Sequence, residues 1–308
     1  MPANNESGVF SPQVKVAHTI PLWSLLPPII FFAVIFLITM QQPDGRLHMW
    51  VLDVGQGDSI LLRTPKGHTA LIDGGPAATP VLNGIGANLP FWRRDLDLLV
   101  LTHPHEDHMM GFGDVLAHYR IDEVVQTEFT ATSGVQAVWL ASLTGRKVPV
   151  HYAQRGETIG FEGEPDVALH ILSPVTPNAA REGQGGDINN TSIVLKLDYG
   201  KHGILLEGDA QDEAEGEMVA HEKAELGSEV LKVGHHGSRT SSSPRFLANV
   251  KPKIAIISVG QGNKFGHPAQ ETLDALRKAG ATVYRTDMNG TVEVIADTEN
   301  MWVRSERP

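Results

Sequence analysis

Residues 96–103 read LDLLVLTH, and the chain continues PHEDHMMG. An apolar run of strand length, bounded by charged residues, is satisfied when both of its faces are buried. That requirement disfavours a sheet with one face in water and points to a layered fold covered on either side. The run ends in His103, His105, Asp107 and His108, four ligand-type side chains on one strand-to-helix turn. In extended backbone, residues two apart point the same way, so His103 and His105 can grip one ion. Asp107 and His108 are adjacent and can serve a second. Pro104 stiffens the turn and lowers the entropy lost on ordering it. Imidazole with carboxylate suits zinc, and also iron or manganese. The chain contains no cysteine, which excludes disulfides and any thiolate metal site.

The same rhythm of short apolar strands and polar turns runs through the rest of the chain. LHMWVLDVG, SILLRT and HTALIDGG read as strands before the ligand turn, and MMGFGDVLAHYR has helical spacing weakened by Gly111 and Gly113. In the second half, VALHILSP, SIVLKLDY, HGILLEGD, EVLKVGHHG and KIAIISVG read as strands. QDEAEGEMVAHEKAEL and AQETLDALRKAG read as helices, the latter closed by Gly280. TVYRTD and TVEVIAD are expected to form a hairpin across MNG. Strands and helices in both halves, with ligand-type residues at strand ends, predict an α/β (α+β) domain over residues 47–308. Its two sheets pack together, with helices outside and the site at the edge.

The N-terminus is of another kind. Residues 1–21 form a polar tail, residues 22–40 are apolar and uncharged, and residues 41–46 are a linker rich in breakers. The apolar run approaches the length of a bilayer span, and Pro27 and Pro28 are expected to kink or shorten its helix. Its flanks favour a transmembrane signal-anchor over a cleaved signal peptide or a buried core helix. Lys15 is the single cation before it, a weak cue for an N-terminus inside and a domain outside the cytoplasm, periplasmic or extracellular.

HPHEDH resembles the H-x-H-x-D-H signature of the metallo-β-lactamase fold, a four-layer αββα sandwich with a one- or two-metal site. LIDGG is similar to the family's first acid motif, LLEGDA to its later one and VGHHGS to its last histidine motif. VLDVGQGDSILL, NNTSIVLKLDYG, LLEGD and EVLKVGHHGS occur in the order found in the metallo-β-lactamase-like domain of the ComEC competence proteins. The resemblance covers residues 47–300 and implies Zn2+ or Mn2+, one or two ions. The ligands it implies are His103, His105, Asp107, His108, Asp209 and His236 (or His235), with Asp209 bridging. Asp107 and Asp209 would be catalytic, Asp58 and Asp73 would orient the ligands, and His235, Ser238, Asn190 and His267 would meet substrate. One departure stands out: a histidine usual between the first cluster and the bridging aspartate is absent, and its place falls near GGDINNTS.

The implied reaction is attack of activated water on phosphorus, making a phosphodiesterase or nuclease related to DNA uptake, with single-stranded DNA as a substrate. The formal charge of −11 leans toward a small or cell-wall phosphoester instead, since a nuclease needs a basic track, and Lys232, Arg239 and Arg245 are the nearby candidates. A DNA-uptake module without catalysis is the non-enzyme alternative, disfavoured by the full ligand set. The missing histidine and the HHGS block disfavour a β-lactamase proper.

Overall fold

The computed structural model describes Gly8 and residues 25–129, 133–174 and 187–308. It divides into two units, residues 1–42 and residues 43–308. In the first, a helix spans Leu26–Met40, with prolines in its first turn. There a missing N–H costs no hydrogen bond, so Pro27 and Pro28 start the helix rather than kink it. Its large apolar side chains are exposed, Phe32 at 67%. Fifteen residues rise only about 22 Å, short of the span read over residues 22–40, of which residues 22–24 lie outside the described residues. Among the described residues no helix is long and apolar enough to cross a membrane.

The second unit holds two sheets. The first has eight described strands in the order Met301–Ser305, Val292–Ala296, Leu47–Val51, Ile60–Arg63, Thr69–Ile72, Asp95–Leu101, Arg120–Gln126 and Val150–Tyr152. The second has seven: Thr282–Arg285, Ile254–Ile257, Val230–Lys232, His202–Leu206, Val194–Tyr199, Glu164–Ser173 and Thr158–Phe161.

Strand alternation sorts the apolar side chains into three cores. Leu98 and Val100 face inward and meet Leu195, Ile204 and Val230 of the opposite sheet. Leu99 and Leu101 face outward and pack against helices Ala78–Asn88, Phe112–His118 and Gly134–Arg146 through Val81, Ile85, Phe112 and Trp139. Leu205 and Leu231 do the same on the far side, beneath helices Asp212–His221, Pro244–Val250 and Gln270–Lys278. The layers are therefore helix, sheet, sheet, helix. Residues 98–101 are apolar without a break because both faces are covered, while Asp97, nearer the start of the strand, accepts from Thr69 N–H and Arg93.

The expected hairpin across MNG does not form. Thr282–Arg285 pairs in parallel with Ile254–Ile257 in the second sheet, while Val292–Ala296 pairs with Leu47–Val51 in the first. The preceding helix Gln270–Lys278 makes Thr282–Arg285 the return strand of a parallel crossover. The short helix Thr286–Asn289 then carries the chain from one sheet to the other.

Candidate metal centre

Both sheets deliver ligand-type residues at one edge, from the carboxyl ends of parallel strands. Thr69–Ile72 leads to Asp73 and its parallel neighbour Asp95–Leu101 leads to His103. Across the sandwich, His202–Leu206 leads to Asp209, Val230–Lys232 to His235 and His236, and Ile254–Ile257 to Ser258. Two turns of the first sheet are stitched to the ligand loop. Gly74 N–H donates to His108 O at 2.6 Å, and Gly111 N–H to Gly74 O at 3.1 Å. A Cβ on Gly57 would lie 2.2 Å from Asp107 O, so only glycine lets the DVGQGDS turn approach this close.

Two donor groups share Asp209. In one, donor atoms of Asp107, His108, Asp209 and His236 lie within 4.8 Å of one another; in the other, those of His103, His105 and Asp209 do. His108 Nε2 is 3.3 Å and His236 Nε2 3.6 Å from Asp209 Oδ2. His236 Nε2 is 3.3 Å from Asp107 Oδ2. On the other side, His103 Nε2 lies 3.8 Å from Asp209 Oδ2 and 3.0 Å from His105 Nδ1.

The far nitrogens of the rings are held. His108 Nδ1–H donates to Asp73 Oδ2 at 2.8 Å, and His236 Nδ1–H to Ser258 O at 3.0 Å. Thr102 Oγ–H is spent on Asp73 Oδ2, so Thr102 Oγ1 accepts from His103 Nδ1–H at 3.1 Å. Each of these bonds turns an Nε2 toward the cluster. His108 Nε2, His236 Nε2 and Asp209 Oδ1 are buried without a hydrogen-bond partner. Buried polar atoms are rarely left so, and three of them converging with carboxylates fit a divalent cation.

The electrostatics point the same way. Burial alone would lower His236, but Asp209, Asp107 and Asp58 outweigh it and hold the imidazole up to about 10. Burial is likewise overcome at His108, held well above its usual value by Asp209 and Asp73. Burial would raise Asp209, yet His236 and His108 keep it well below the carboxylate range. Asp107 is also depressed, against its burial, by the same two rings. His103 is lowered, by burial and then by His108. Asp73 is raised by burial, despite His108.

The HHGS turn departs from the expected strand end. His235 (φ 46°) and His236 (φ 53°) are both left-handed, at a cost of about 1–2 kcal/mol per residue. The turn sends His236 into the four-donor group and leaves His235 partly exposed, with Nδ1 3.2 Å from Thr240 Oγ1. Beneath it, the buried Glu207 accepts from Gly234 N–H at 2.9 Å, and Glu215 accepts from Ser242 N–H and Ser243 N–H. Burial raises both glutamates.

The other expected site residues divide. Asp58 is buried below His236, with Oδ1 3.4 Å from Nδ1, and Lys232 Nζ donates to its Oδ2 at 2.7 Å. Burial would raise Asp58, but Lys232 brings it to about 2. Lys232 is fully buried and so offers no basic track; strand alternation, which puts it on the inner face with Val230, was the available signal. His267 sits beside the cluster, its ring centroid 5.5 Å from that of His235. Asn190 does not face the histidines: its amide accepts from Gln211 N–H at 3.0 Å and donates to Glu213 at 3.2 Å. The neighbouring Asn189 does, with Nδ2 3.5 Å from His235 Nε2 and Oδ1 buried and unpartnered. A tight helical turn over Ile188–Thr191 sets which of the two faces inward. Ser192 of the same motif was missed; its hydroxyl accepts from Asp209 N–H at 3.1 Å and lies 3.4 Å from His103 Nδ1. Ser238 pairs with Thr240 at 3.0 Å, Ser241 donates to Gly234 O at 2.8 Å, and Ser243 caps the next helix. These hydroxyls hold the loop. His118, His151, His170 and His202 bind Asp114 O, Glu157, Thr158 and Glu229 respectively, away from the cluster.

The chain is 30% identical over 275 residues to ComE operon protein 3 of Bacillus subtilis, covering 84% of this chain and 34% of that protein. It is also 30% identical over 256 residues to competence protein ComA of Neisseria gonorrhoeae, covering 82% and 32%. The chain thus spans about a third of the length of the curated relatives it matches. Among solved structures, CmlA, a diiron β-hydroxylase from Streptomyces venezuelae, superposes with a TM-score of 0.52 at 16% identity, over 79% of this chain and 53% of that one. This likeness concerns the fold. Residues 52–261 match the model of the metallo-beta-lactamase superfamily, and the chain belongs to that superfamily.

Proposed function

We propose that residues 43–308 form a metal-dependent phosphodiesterase that cleaves nucleic acid, with single-stranded DNA as the substrate. The observation that carries this reading is the convergence of unpartnered His108 Nε2, His236 Nε2 and Asp209 Oδ1 with Asp107 and His103 around a shared carboxylate. His103, His105 and Asp209 would hold one ion, and Asp107, His108, Asp209 and His236 the other, as Zn2+ or Mn2+. Bound there, such ions supply Lewis acidity toward phosphoryl oxygens and activate water at neutral pH.

The chain's own residues do the rest. Asp73 and Ser258 fix the tautomers of His108 and His236. Asp107, 34% exposed at its side chain, and the partly exposed His105 are the donors open to solvent, so substrate and water approach from their side. His235, Asn189 and His267 line the same edge and offer ring N–H and amide groups to phosphate oxygens. The competence relatives support a nucleic-acid substrate. The uncharged run at residues 21–40 supports anchoring to a membrane, with the hydrolase unit outside the cytoplasm.

The test uses the full chain, reconstituted with Zn2+ or Mn2+ and assayed on single-stranded DNA beside a small phosphodiester. Metal-dependent cleavage of the DNA is expected. Cleavage of the small ester alone would favour a small or cell-wall phosphoester as substrate, and bound metal with no hydrolysis of either would remove the enzyme reading.

A further inference from the structure

Beside the donor groups, the loop after strand Ile254–Ile257 carries the sequence QGNKFGHP. It is locked in place. Asn263 Oδ1 accepts from Phe265 N–H and His267 N–H, both at 3.1 Å, and Asn263 Nδ2 donates to Gly260 O and His267 O. Gly260 N–H donates to Gln56 of the DVGQGDS turn at 3.2 Å, and Ala269 N–H to Gly237 O at 2.8 Å. The loop is thereby tied to turns on both sides of the site.

This fixed loop holds an exposed aromatic side chain, Phe265, at 59% exposure. A lone exposed phenylalanine is ordinary, but this one ends a ladder of rings. His236 and His267 have centroids 6.5 Å apart at an interplanar angle of 29°, and His267 and Phe265 are 5.9 Å apart at 28°. The near-parallel planes lead from a donor of the cluster to the surface in two steps. Lys264 Nζ lies over the Phe265 ring, 5.5 Å from its centroid, and Arg239, exposed on the HHGS loop, acts by its charge on His267. An exposed aromatic ring with a cation over it, at the rim of a site suited to phosphoryl chemistry, is the arrangement on which bases of single strands stack, the long lysine side chain moving to the phosphate as the base docks. Duplex bases have no free face to give it.

We infer that Phe265 is a base-stacking platform that, with Lys264 and Arg239 on the phosphates, selects single-stranded nucleic acid over phosphodiesters without bases. The inference rests on the phosphodiesterase reading above. A phosphate seated among the donors leaves its flanking nucleoside beside the His267–Phe265 steps. Because the loop is already ordered, little entropy is lost when the base docks.

The test compares the full chain with its Phe265→Ala and Phe265→Trp variants on two oligonucleotides of one length, one normal and one carrying abasic residues. Phe265→Ala is expected to raise KM for the normal strand about tenfold, the size of one base–aromatic stack. It should leave kcat, bound metal and the abasic strand unchanged, and Phe265→Trp should restore KM. Equal effects on both strands, or none on either, overturn the platform while leaving the phosphodiesterase reading in place. If no phosphodiester is cleaved, that reading has failed by itself, and fluorescence anisotropy of the same two strands still decides the platform. Weaker binding of the normal strand alone by Phe265→Ala supports it; parallel changes refute it.

Discussion

The two donor groups that share Asp209 are braced in different ways. The four-donor group draws residues from both sheets and is backed by charge: Asp73 behind His108, and the buried Lys232–Asp58 pair behind His236. The three-donor group also joins the ligand turn to Asp209 of the other sheet, but it is backed by hydroxyls, Thr102 and Ser192 behind His103. A charged brace sets both orientation and basicity, whereas a hydroxyl sets orientation alone. The four-donor group is therefore expected to hold the tighter ion, the other having three donors instead of four.

The largest perturbation removes what the groups share. Asp209→Ala should lower kcat/KM by about 10³-fold or more and reduce bound metal at both sites; metal content by emission spectrometry checks it, and retention of two ions would show that Asp209 bridges nothing. Next comes the charged brace. Lys232→Met strands a buried carboxylate, so thermal or urea denaturation should show about 3–5 kcal/mol of lost stability, with weaker metal binding where His236 loses its orientation. A fully stable variant would mean that Asp58 is protonated or solvated in its place. His236→Ala and His103→Ala then separate the groups. Competition with a chelator should show the first losing affinity for the tighter ion by at least the roughly 10–100-fold that removing a ligand's supporting partner costs, and the second losing only the weaker ion. The reverse order would overturn the comparison. The smallest effect is expected at the hydroxyl brace, where Ser192→Ala should cost about 1 kcal/mol and lower metal affinity only a few-fold.

A pH titration sharpens the same contrast. His236 is held up to about 10 and His108 is also raised, so at neutral pH an ion entering the four-donor group displaces protons. Its affinity should climb about tenfold per pH unit for each proton released until the pH nears 10. His103 is lowered, so it adds no such slope to the three-donor group near neutrality. For the metal-free fold the sign is opposite. A histidine raised above its unfolded value of about 6.5 stabilises fully below that pH, and the contribution fades as pH rises toward 10. Melting curves in chelator should therefore fall across that window, and flat curves would contradict the raised His236.

What the sequence disclosed depended on how locally each feature is encoded. Residues 96–108 carry strand, turn and four donors in one stretch, so alternation and composition suffice. Asp73, Asp209 and the His235–His236 pair stand out as motifs at strand ends, but which of the two histidines turns inward does not, because the left-handed turn decides it. Nor does the choice between Asn189 and Asn190, because one tight turn decides which amide faces the cluster. Lys232 reads as a surface cation by its charge, although two-residue alternation turns it inward with Val230. The strand Thr282–Arg285 looks like half of a hairpin in sequence because its true partner, Ile254–Ile257, lies across an intervening helix.

The edge-on position of the centre has a consequence for persistence rather than for chemistry. His103 to His108 belong to one sheet, Asp209 and His236 to the other, and the chain has no cysteine to tie the two. An ion shared by Asp107, His108, Asp209 and His236 would close a long loop, as a cross-link does, and restrict the sheets from sliding or separating. Metal loading should then slow unfolding and protease attack on the whole sandwich.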